Sequence, residues 1–526
     1  MWSMLLKGCW ESFTRPSLER FLESQNSPHY RATIMPIFEE PPRDAWTLLL
    51  EKFVRDKKGD TFESLSNTLR AELLKLGVSY NNHLLQQASK CGITLSEVEL
   101  PRNNSSEHSQ ESKIVMSGHQ SVLYHPGLLY KEECLEEFSA TTGTLPIHIV
   151  IDTDEGAAGA MLIPTPDDYG QPFGSCRRVQ QKEVDLTGDS RVFLSQKLLP
   201  TRSLEPLFDS VNREISSLEF PVDVVNRVRL AGELYSKLGG LPVVEAHSIV
   251  RWALRGRRHL EVPYSKLLEL PTVVELIKSW ITQGADLLRC YNETLEEFRE
   301  SRKIKNPANP FPNMSRREGA YELPFWIVSP AAGSRSAVVI FEGKGEPQLP
   351  DGSFLAPRGS ITTLLLRGFC SDLFIHGRGG AKYDPFVEQF AGKMFGLTLA
   401  PFVVASQDLR PFSREFQLIN EGEDIKARFK ELISHTAKYL EADYFSASER
   451  EALTILVAKR SDALARIQSA SNAADKSTVA HELNAINREV RAIIDSGEIG
   501  RKLQVFNQPE ERLKAWSARD YPFFFS

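Results

Sequence analysis

The sequence predicts an α/β protein with a doubly wound, mostly parallel sheet and a C-terminal α-helical hairpin or coiled-coil-like domain. The middle of the chain holds short, continuously apolar runs, typical of strands buried on both faces. Helical stretches separate several of these runs, and a heptad-like spacing appears near the end. We therefore expect a helical N-terminal region (1–110), an α/β core (111–423, with an insertion at about 165–335) and a C-terminal helical domain (424–526).

Composition narrows the class of protein. The 526 residues are 41% apolar and 25% charged, and the net charge of -6 gives no reason to expect nucleic acid as a partner. The sequence has no run of ~20 apolar residues that would predict a membrane span. The opening MWSMLLKGCW lacks the features of a signal peptide. The six cysteines form no CxxC pair, which argues against a zinc site or a disulfide framework. We expect a cytoplasmic protein.

The N-terminal region shows helical periodicity in TFESLSNTLRAELLKLGVSY. Its apolar positions fall on one face: Leu65, Leu69, Leu73 and Leu76. The polar segment 101–113 is predicted to be a loop or linker.

Six apolar runs predict the strands of the core. They are KIVMSG (113–118), PIHIVIDTD (146–154), LPVVEAH (241–247), SAVVIFEG (336–343), SDLFIHG (371–377) and APFVVAS (400–406). Within the insertion, the proline-rich segment 306–326 favours irregular, extended chain.

The C-terminal domain is predicted from three patterns. One apolar stripe is Ile425, Phe429, Leu432 and Ile433. Ser446 and Glu449 have capping-box spacing. The heptad-like positions are Val479, Leu483, Ile486, Val490 and Ile493. A helical hairpin that packs within the chain and a contact that forms a homodimer both fit this spacing.

Two polar loops follow predicted strands, where ligands bind in open α/β sheets. The first, SGHQSVLYHPGLLYK (117–131), offers Gly118, His119, Gln120, His125 and Gly127. Its histidines and glutamine can donate to phosphate or carboxylate oxygens, and either histidine can move a proton near neutral pH. A tightly packed strand-to-helix connection explains the same residues.

The second loop lies in LFIHGRGGAKYD (373–384). Its candidate ligand-binding residues are His376, Gly377, Gly379, Gly380 and Lys382. Glycine lets a ligand approach the main chain, and Lys382 adds positive charge. Asp384 and Pro385 are predicted as the N-cap and first residue of the next helix. An ordinary glycine turn is the alternative.

Two further sets of polar residues complete the candidates. Asp152 and Asp154 can hold Mg²⁺ or a substrate amine, or form a solvated acidic turn. Arg358 and Thr362, at a predicted helix start, can bind a carboxylate or phosphate, or serve only as caps. We assign no metal-ligand set.

The chain carries GHQ…HPG, PRxxxTT, ELPFW and DLFIHGxGGAKYD in this order. These motifs resemble an uncharacterised bacterial group found largely in planctomycetes, which is distantly similar to the cysteine-adding enzymes of bacillithiol synthesis. The resemblance covers about 113–410 and includes Tyr383. It implies a nucleotidylyltransferase-like Rossmann core, a C-terminal helical domain that dimerises, nucleotide binding, and a reaction joining an amino acid to a carboxylate.

The leading hypothesis is therefore a ligase- or transferase-like enzyme acting on a small metabolite, with ATP or ADP and Mg²⁺ as candidate cofactors. His119 is the proposed acid, base or oxyanion donor, and Gln120 and His125 orient the substrate. A non-catalytic nucleotide- or metabolite-binding protein on the same fold is the alternative. A scaffold that assembles through residues 424–526 is a third hypothesis.

Overall fold

The computed structural model describes residues 37–53, 60–96, 112–344 and 346–525, without the side chains of 60–62. These residues form two compact units. The sheet unit holds the described residues within 37–166, 179–411 and 518–525, and the helical unit holds 167–178 and 412–517. This division places 412–423 with the helices and 518–525 with the sheet, unlike the predicted boundary at 423/424. Residues 101–111 of the predicted linker lie outside the described residues.

The sheet unit contains the strands. Twelve are present in the described part of the chain: β1 Ile37–Glu40, β2 Ile114–Gln120, β3 Leu145–Ile151, β4 Ala160–Thr165, β5 Gln180–Asp185, β6 Leu260–Pro263, β7 Arg316–Arg317, β8 Ala320–Ser329, β9 Ser334–Phe341, β10 Phe354–Pro357, β11 Leu373–His376 and β12 Phe402–Gln407.

The helices occur in both units. Those of the sheet unit are α1 Trp46–Lys52, α2 Asp60–Lys90, α3 Pro126–Thr142, α4 Thr201–Ser216, α5 Val222–Lys237, α6 Val243–Arg255, α7 Tyr264–Leu268, α8 Pro271–Ile281, α9 Gly284–Ser301, α10 Gly359–Leu365 and α11 Asp384–Phe395. Those of the helical unit are α12 Ser413–Ser434, α13 Thr436–Tyr439, α14 Ala447–Ser469, α15 Ala473–Ser496, α16 Glu498–Leu503 and α17 Glu510–Ser517. Within the described ranges, no helix has the length and apolar composition needed to cross a membrane.

The central sheet has six strands in the order β1-β12-β11-β2-β3-β6. Strand β1 is antiparallel to β12, and the other neighbours are parallel. The prediction of an α/β fold with a mostly parallel sheet is confirmed. Four predicted strands lie side by side in it as β2, β3, β11 and β12.

One strand prediction was wrong, and another was right about the strand but wrong about its sheet. The segment 241–247 begins helix α6, with Pro242 at its N-cap and Val243, Val244 and Ile249 buried. The segment 336–343 is a strand, β9, but it belongs to a second, antiparallel sheet.

The N-terminal region, predicted to be helical, also contains the strand β1. Its predicted amphipathic helix is present as α2, with Leu69 and Leu73 buried.

Helices cover both faces of the central sheet. One face presents residues such as Met116, Ile149 and Val262 to a large core that includes α2 and α11. The opposite face presents Val115, Ile375 and Val403 to α1 and α3. The connection after β2 runs through α3 to β3, and the connection after β11 runs through α11 to β12 on the other side. The two connections therefore diverge between β2 and β11, which makes this the topological switch point of the sheet.

The insertion folds into regular structure. It contributes β6 to the central sheet, β5 to the β4–β5 hairpin, and β7 and β8 to the antiparallel sheet in which β8 pairs with β7, β9 and β10. The prediction of irregular chain for 306–326 was wrong at β7 (Arg316–Arg317) and from Ala320 onward, where β8 begins. A register shift between Leu323 and Trp326 accommodates Pro324, whose nitrogen cannot donate to the ladder.

The helical unit has its own apolar core. The predicted stripe of α12 and the heptad-like positions of α15 pack in one cluster with Leu453 and Leu456 of α14. Ser446 and Glu449 form the predicted capping box at the start of α14. The heptad-like positions are thus used for packing within the chain.

A buried ion pair fastens the segment 167–178 to α17. The Arg512 guanidinium donates to both carboxylate oxygens of Asp167, at 2.7 and 2.5 Å, and to the carbonyls of Tyr169 and Gly170. Both side chains of the pair are almost fully buried.

Replacing Arg512 with Met should lower the free energy of unfolding by about 3–5 kcal/mol, because the buried Asp167 carboxylate would lose its closest cation and keep only Arg178, 3.7 Å away. Lys514→Met is the matched control, since Lys514 lies on the same helix and is 59% exposed. Urea denaturation of both variants measures the difference. Equal stability would contradict a structural role for the pair.

Gly127→Ala should also destabilise the protein, by about 1–3 kcal/mol. A Cβ at Gly127 would lie 2.6 Å from the Gln407 carbonyl oxygen, so α3 and β12 would have to separate. The control is Gly392→Ala in α11, where no atom lies within 4 Å of the new Cβ and alanine should stabilise the helix by about 0.5–1 kcal/mol. Urea denaturation should therefore shift the two variants in opposite directions.

Candidate functional site

The two predicted loops meet at the carboxyl edge of the central sheet, on either side of its switch point. The first loop follows β2 and the second follows β11, and these two strands are neighbours. Their last paired residues are Ser117 and Ile375. Strand β2 continues past this pair to Gln120, still paired with β3 on its other side. Ligands of open α/β sheets bind at such a place, and we call the space between the end of β2 and the glycine loop after β11 the crevice.

Lys131 of α3 fills the bottom of this crevice. Its Nζ donates to the Gly118 carbonyl oxygen at 3.0 Å, at the position where a β11 ladder partner is missing. Lys131 is only 2% exposed, and burial lowers its pKa to about 8 although neighbouring Glu132 acts in the opposite direction. The main chain of Gly377 crosses over the lysine stem, since a Cβ there would lie 3.7 Å from Lys131 Cδ.

His119 lies half-buried at the rim of the crevice. Its Nδ1 is 3.2 Å from the Gln120 carbonyl oxygen, and its ring meets the Tyr124 ring edge-on. Burial, reinforced by the charge of Lys131, lowers the pKa of His119 to about 3. The ring is therefore neutral at physiological pH, with one nitrogen able to accept a proton and one able to donate.

Gln120 and Asp154 form a polar wall next to His119. Gln120 Nε2 donates to Asp154 Oδ2 at 2.5 Å, and Arg335 pairs with the other carboxylate oxygen. The Arg335 guanidinium also lies 4.7 Å from the centre of the Trp326 ring. Arg358 lies 3.9 Å from the same ring and pairs with Glu322 at 2.6 Å. Arg358 thus already has a carboxylate partner, and it reaches the Asp154 wall only through Trp326 and Arg335.

Asp152 points away from this wall. Its carboxylate accepts from the Ser265 main-chain N–H at 2.8 Å and from the Ser265 hydroxyl at 2.5 Å. Burial raises the pKa of Asp152 to about 6, although the two bonds from Ser265 lower it. Asp152 therefore fixes the start of α7 to the end of β3, and it does not share a ligand position with Asp154.

His125 caps helix α3. Its Nδ1 accepts from the Gly127 main-chain N–H at 3.1 Å, while the N–H groups of Leu128 and Leu129 donate to the His125 carbonyl. Pro126 has no N–H, so the first turn of α3 has no donor left for an anion. His125 Nε2 lies 3.9 Å from Asp520.

The glycine loop is the exposed wall of the crevice. Arg378, Gly379, Gly380 and Lys382 are exposed, and Arg378 lies over the Phe38 ring of β1. His376 is held below the loop, with its Nε2 2.7 Å from Asp384 Oδ2. The predicted N-cap role of Asp384 was wrong, because Asp384 is the first residue of α11. Its buried carboxylate pairs with Arg367 and His376. These two partners outweigh burial and hold the pKa of Asp384 below its usual range.

Two remaining candidates have internal partners. The Thr362 hydroxyl donates to the Pro357 carbonyl and accepts from the Tyr264 hydroxyl, both at 3.0 Å. Tyr383 packs its ring against Phe311, with centroids 5.5 Å apart.

The structure therefore brings together Gly118, His119, Gln120, Asp154 and the glycine loop. It places Asp152, Arg358 and Thr362 in separate contacts. Sequence reasoning missed Lys131 and Arg335 as members of the site. Lys131 is the last residue of the stretch 117–131, but it lies on α3, and nothing in the sequence indicated that its side chain would be buried. Among the described residues, no group of three or more His, Cys, Asp or Glu side chains is placed to hold a metal ion.

The cap at His125 predicts a pH dependence of stability. Burial lowers the pKa of His125 from 6.5 to about 4, the effect of nearby Asp520 being smaller and opposite. The unfolded chain takes up a proton below pH 6.5 and the folded chain does not, so the free energy of unfolding should fall as pH drops from 6.5 towards 4, by up to about 3 kcal/mol from this residue.

His125→Asn should reduce this loss, because asparagine caps a helix without titrating. His125→Ala should reduce the loss equally but be less stable by about 1 kcal/mol at pH 7, since it removes the cap. Urea denaturation of the three proteins from pH 7 to pH 4 tests both points. An asparagine variant with the full wild-type loss would show that His125 is not the titrating group.

Comparison of the chain with models of known protein families finds no match, and comparison with curated proteins finds no significant relative.

Proposed function

We propose that this protein is a small-molecule-conjugating enzyme of the ligase or transferase type, which joins an amino acid or other amine to a metabolite at the switch-point crevice. The observation that carries the proposal is the convergence of polar groups at this one edge of the sheet. A neutral imidazole, an amide, a carboxylate and a buried amine all lie at the end of β2 or next to it.

Each of these groups has a task in such a reaction. An attacking amine must lose a proton, and neutral His119 at the rim can accept it. Asp154, held by Gln120 and Arg335, offers a carboxylate for a substrate ammonium group. Lys131 and main-chain N–H groups of the glycine loop would stabilise negative charge that develops on the acyl or phosphoryl group. His125 supports the loop as a helix cap instead of contacting substrate.

A nucleotidylyltransferase-like Rossmann core with bound ATP or ADP is part of this proposal. The doubly wound sheet and its switch point support it, since nucleotides bind at this place in such folds. The first turn of α3 has no donor left for phosphate, so the glycine loop is the proposed phosphate-binding element. Mg²⁺ would then be bound mainly by the phosphates, since Asp154 is assigned to the substrate ammonium group.

A non-catalytic binding protein is the second candidate. The low pKa of His119 favours it in one respect, because a ring that resists protonation is a weak general base. A binder would be saturated by its ligand without consuming it.

A thermal-shift screen with ATP, ADP, amino acids and carboxylates, with and without Mg²⁺, should identify ligands of the wild-type protein. A ligand at ~100 times its dissociation constant stabilises the folded state by roughly 2.7 kcal/mol, which is readily detected. His119→Ala should keep the ligand-induced shift and lose turnover of the ligands by at least ~100-fold, since an acid–base residue contributes about 10²–10⁴-fold.

The matched control is His435→Ala in the helical unit, which should turn over ligands at the wild-type rate. Wild-type turnover in His119→Ala would remove the assigned role of this residue. Ligand binding without any turnover in the wild type would favour the non-catalytic binder.

A further inference from the structure

Lys131 is an unusual residue to find in the interior. Lysine is rarely fully buried without a charged partner, because removing an ammonium group from water is costly. Lys131 is nevertheless only 2% exposed, and its single hydrogen bond is to the neutral Gly118 carbonyl. An ammonium group has three N–H donors, and within the described ranges two of those of Lys131 have no acceptor.

The nearby carboxylates are already occupied by other cations. Glu132 pairs with Arg251 and Arg255 at 3.1 Å each, and Asp154 pairs with Arg335. Among the described residues, no carboxylate lies within ion-pair distance of Lys131. In the described part of the chain its positive charge therefore has no ion-pair partner, although the nearby Glu132 carboxylate stabilises it.

The wall above Lys131 adds to this positive charge. Arg378 and Lys382 belong to the glycine loop, are exposed, and form no ion pair within the described part of the chain. Gly377, whose main chain lies against the Lys131 side chain, belongs to the same loop and has no side chain to block the approach of a small group. His119, on the opposite side of the crevice, is neutral.

We propose that Lys131 anchors an oxyanion group of the ligand, a carboxylate or a phosphate, in the crevice between the end of β2 and the glycine loop. The two unfilled donors of the ammonium group would bind two oxygens, and the negative charge would compensate the buried cation. This inference rests on the proposed function, because it identifies what the same crevice binds. It is independent of whether the crevice also catalyses a reaction.

If Lys131 serves ligand binding, its buried charge lowers the stability of the protein without ligand. Without ligand, Lys131→Met should have a melting temperature equal to or above that of the wild type, since a flexible apolar side chain replaces a buried charge. A lysine that served only the fold would give the opposite result. Lys131→Gln, which keeps a donor for the Gly118 carbonyl, is the second variant in case methionine prevents folding.

The experiment is a thermal-shift titration with inorganic phosphate and, separately, with acetate, each against sodium chloride at equal ionic strength. Wild-type protein and the control Lys393→Met, which alters an exposed lysine of α11, should be stabilised by at least one of the two probes. Lys131→Met and Lys131→Gln should lose this shift. The probe that acts identifies the oxyanion as phosphate-like or carboxylate-like.

Two results would overturn the proposal. The first is a variant at position 131 that responds like the wild type, and the second is a wild type that responds to neither probe. If a ligand from the broader screen binds wild type and both Lys131 variants equally, the role of Lys131 fails while the proposed function stands. If the wild type binds nothing in either experiment, both fail.

Discussion

The site depends on the place where the ladder between β2 and β11 ends. Strand β11 is short, and its last pair with β2 is Ile375 with Ser117. Beyond this pair, β2 keeps its bonds to β3 but pairs with no other described strand, so the Gly118 carbonyl is open to a donor from outside the sheet. The Lys131 ammonium group supplies it. One unmatched strand end thus explains the crevice, the buried amine and the meeting of the two loops.

A polar layer beneath the crevice is the second constraint. Ser117, His148 and Glu261 lie side by side on β2, β3 and β6, facing α3 and α6. Arg251 lies between Glu132 and Glu261, at 3.1 and 2.5 Å, and is fully enclosed. His148 accepts from or donates to the Tyr124 hydroxyl at 2.9 Å, and Tyr124 in turn contacts the His119 ring. Because breaking one partner from such a network is strongly unfavourable, the layer holds the loop that carries His119 in one position.

The sequence was sufficient for the parts of the fold that repeat a simple pattern. Continuous apolar runs identified β2, β3, β11 and β12, and helical spacing identified α2 and the packed faces of α12 and α15. The run at 241–247 was misassigned because a short apolar segment fits a buried helix as well as a strand. Strand β6 was missed because it is four residues long and carries Glu261, whose burial depends on Arg251 of a different element. Strand β8 was missed because Pro324 is tolerated only through a local shift in register.

The candidate site was predictable only where its residues lie in the two loops. Gly118, His119 and Gln120 follow directly from the strand-end position of the first loop. Lys131 and Arg335 come from a helix and from the insertion, so only the tertiary fold brings them near. Asp152, Arg358 and Thr362 likewise have a partner at least 36 residues away, which is Ser265, Glu322 and Tyr264 respectively, and the sequence does not show these contacts.

Residues 518–525 belong to the sheet unit but are synthesised after the helical unit. Tyr521, Phe524 and Phe525 are buried, and the Phe523 N–H donates to the Tyr124 carbonyl beside the first loop. Strand β1 of the same unit begins at Ile37, so the unit is built from both extremes of the described chain. On a ribosome, which releases the chain from its amino end, the helical unit is complete before the sheet unit has received its last aromatic residues. The loop that carries His119 therefore reaches its final packing only after translation has passed the helical unit.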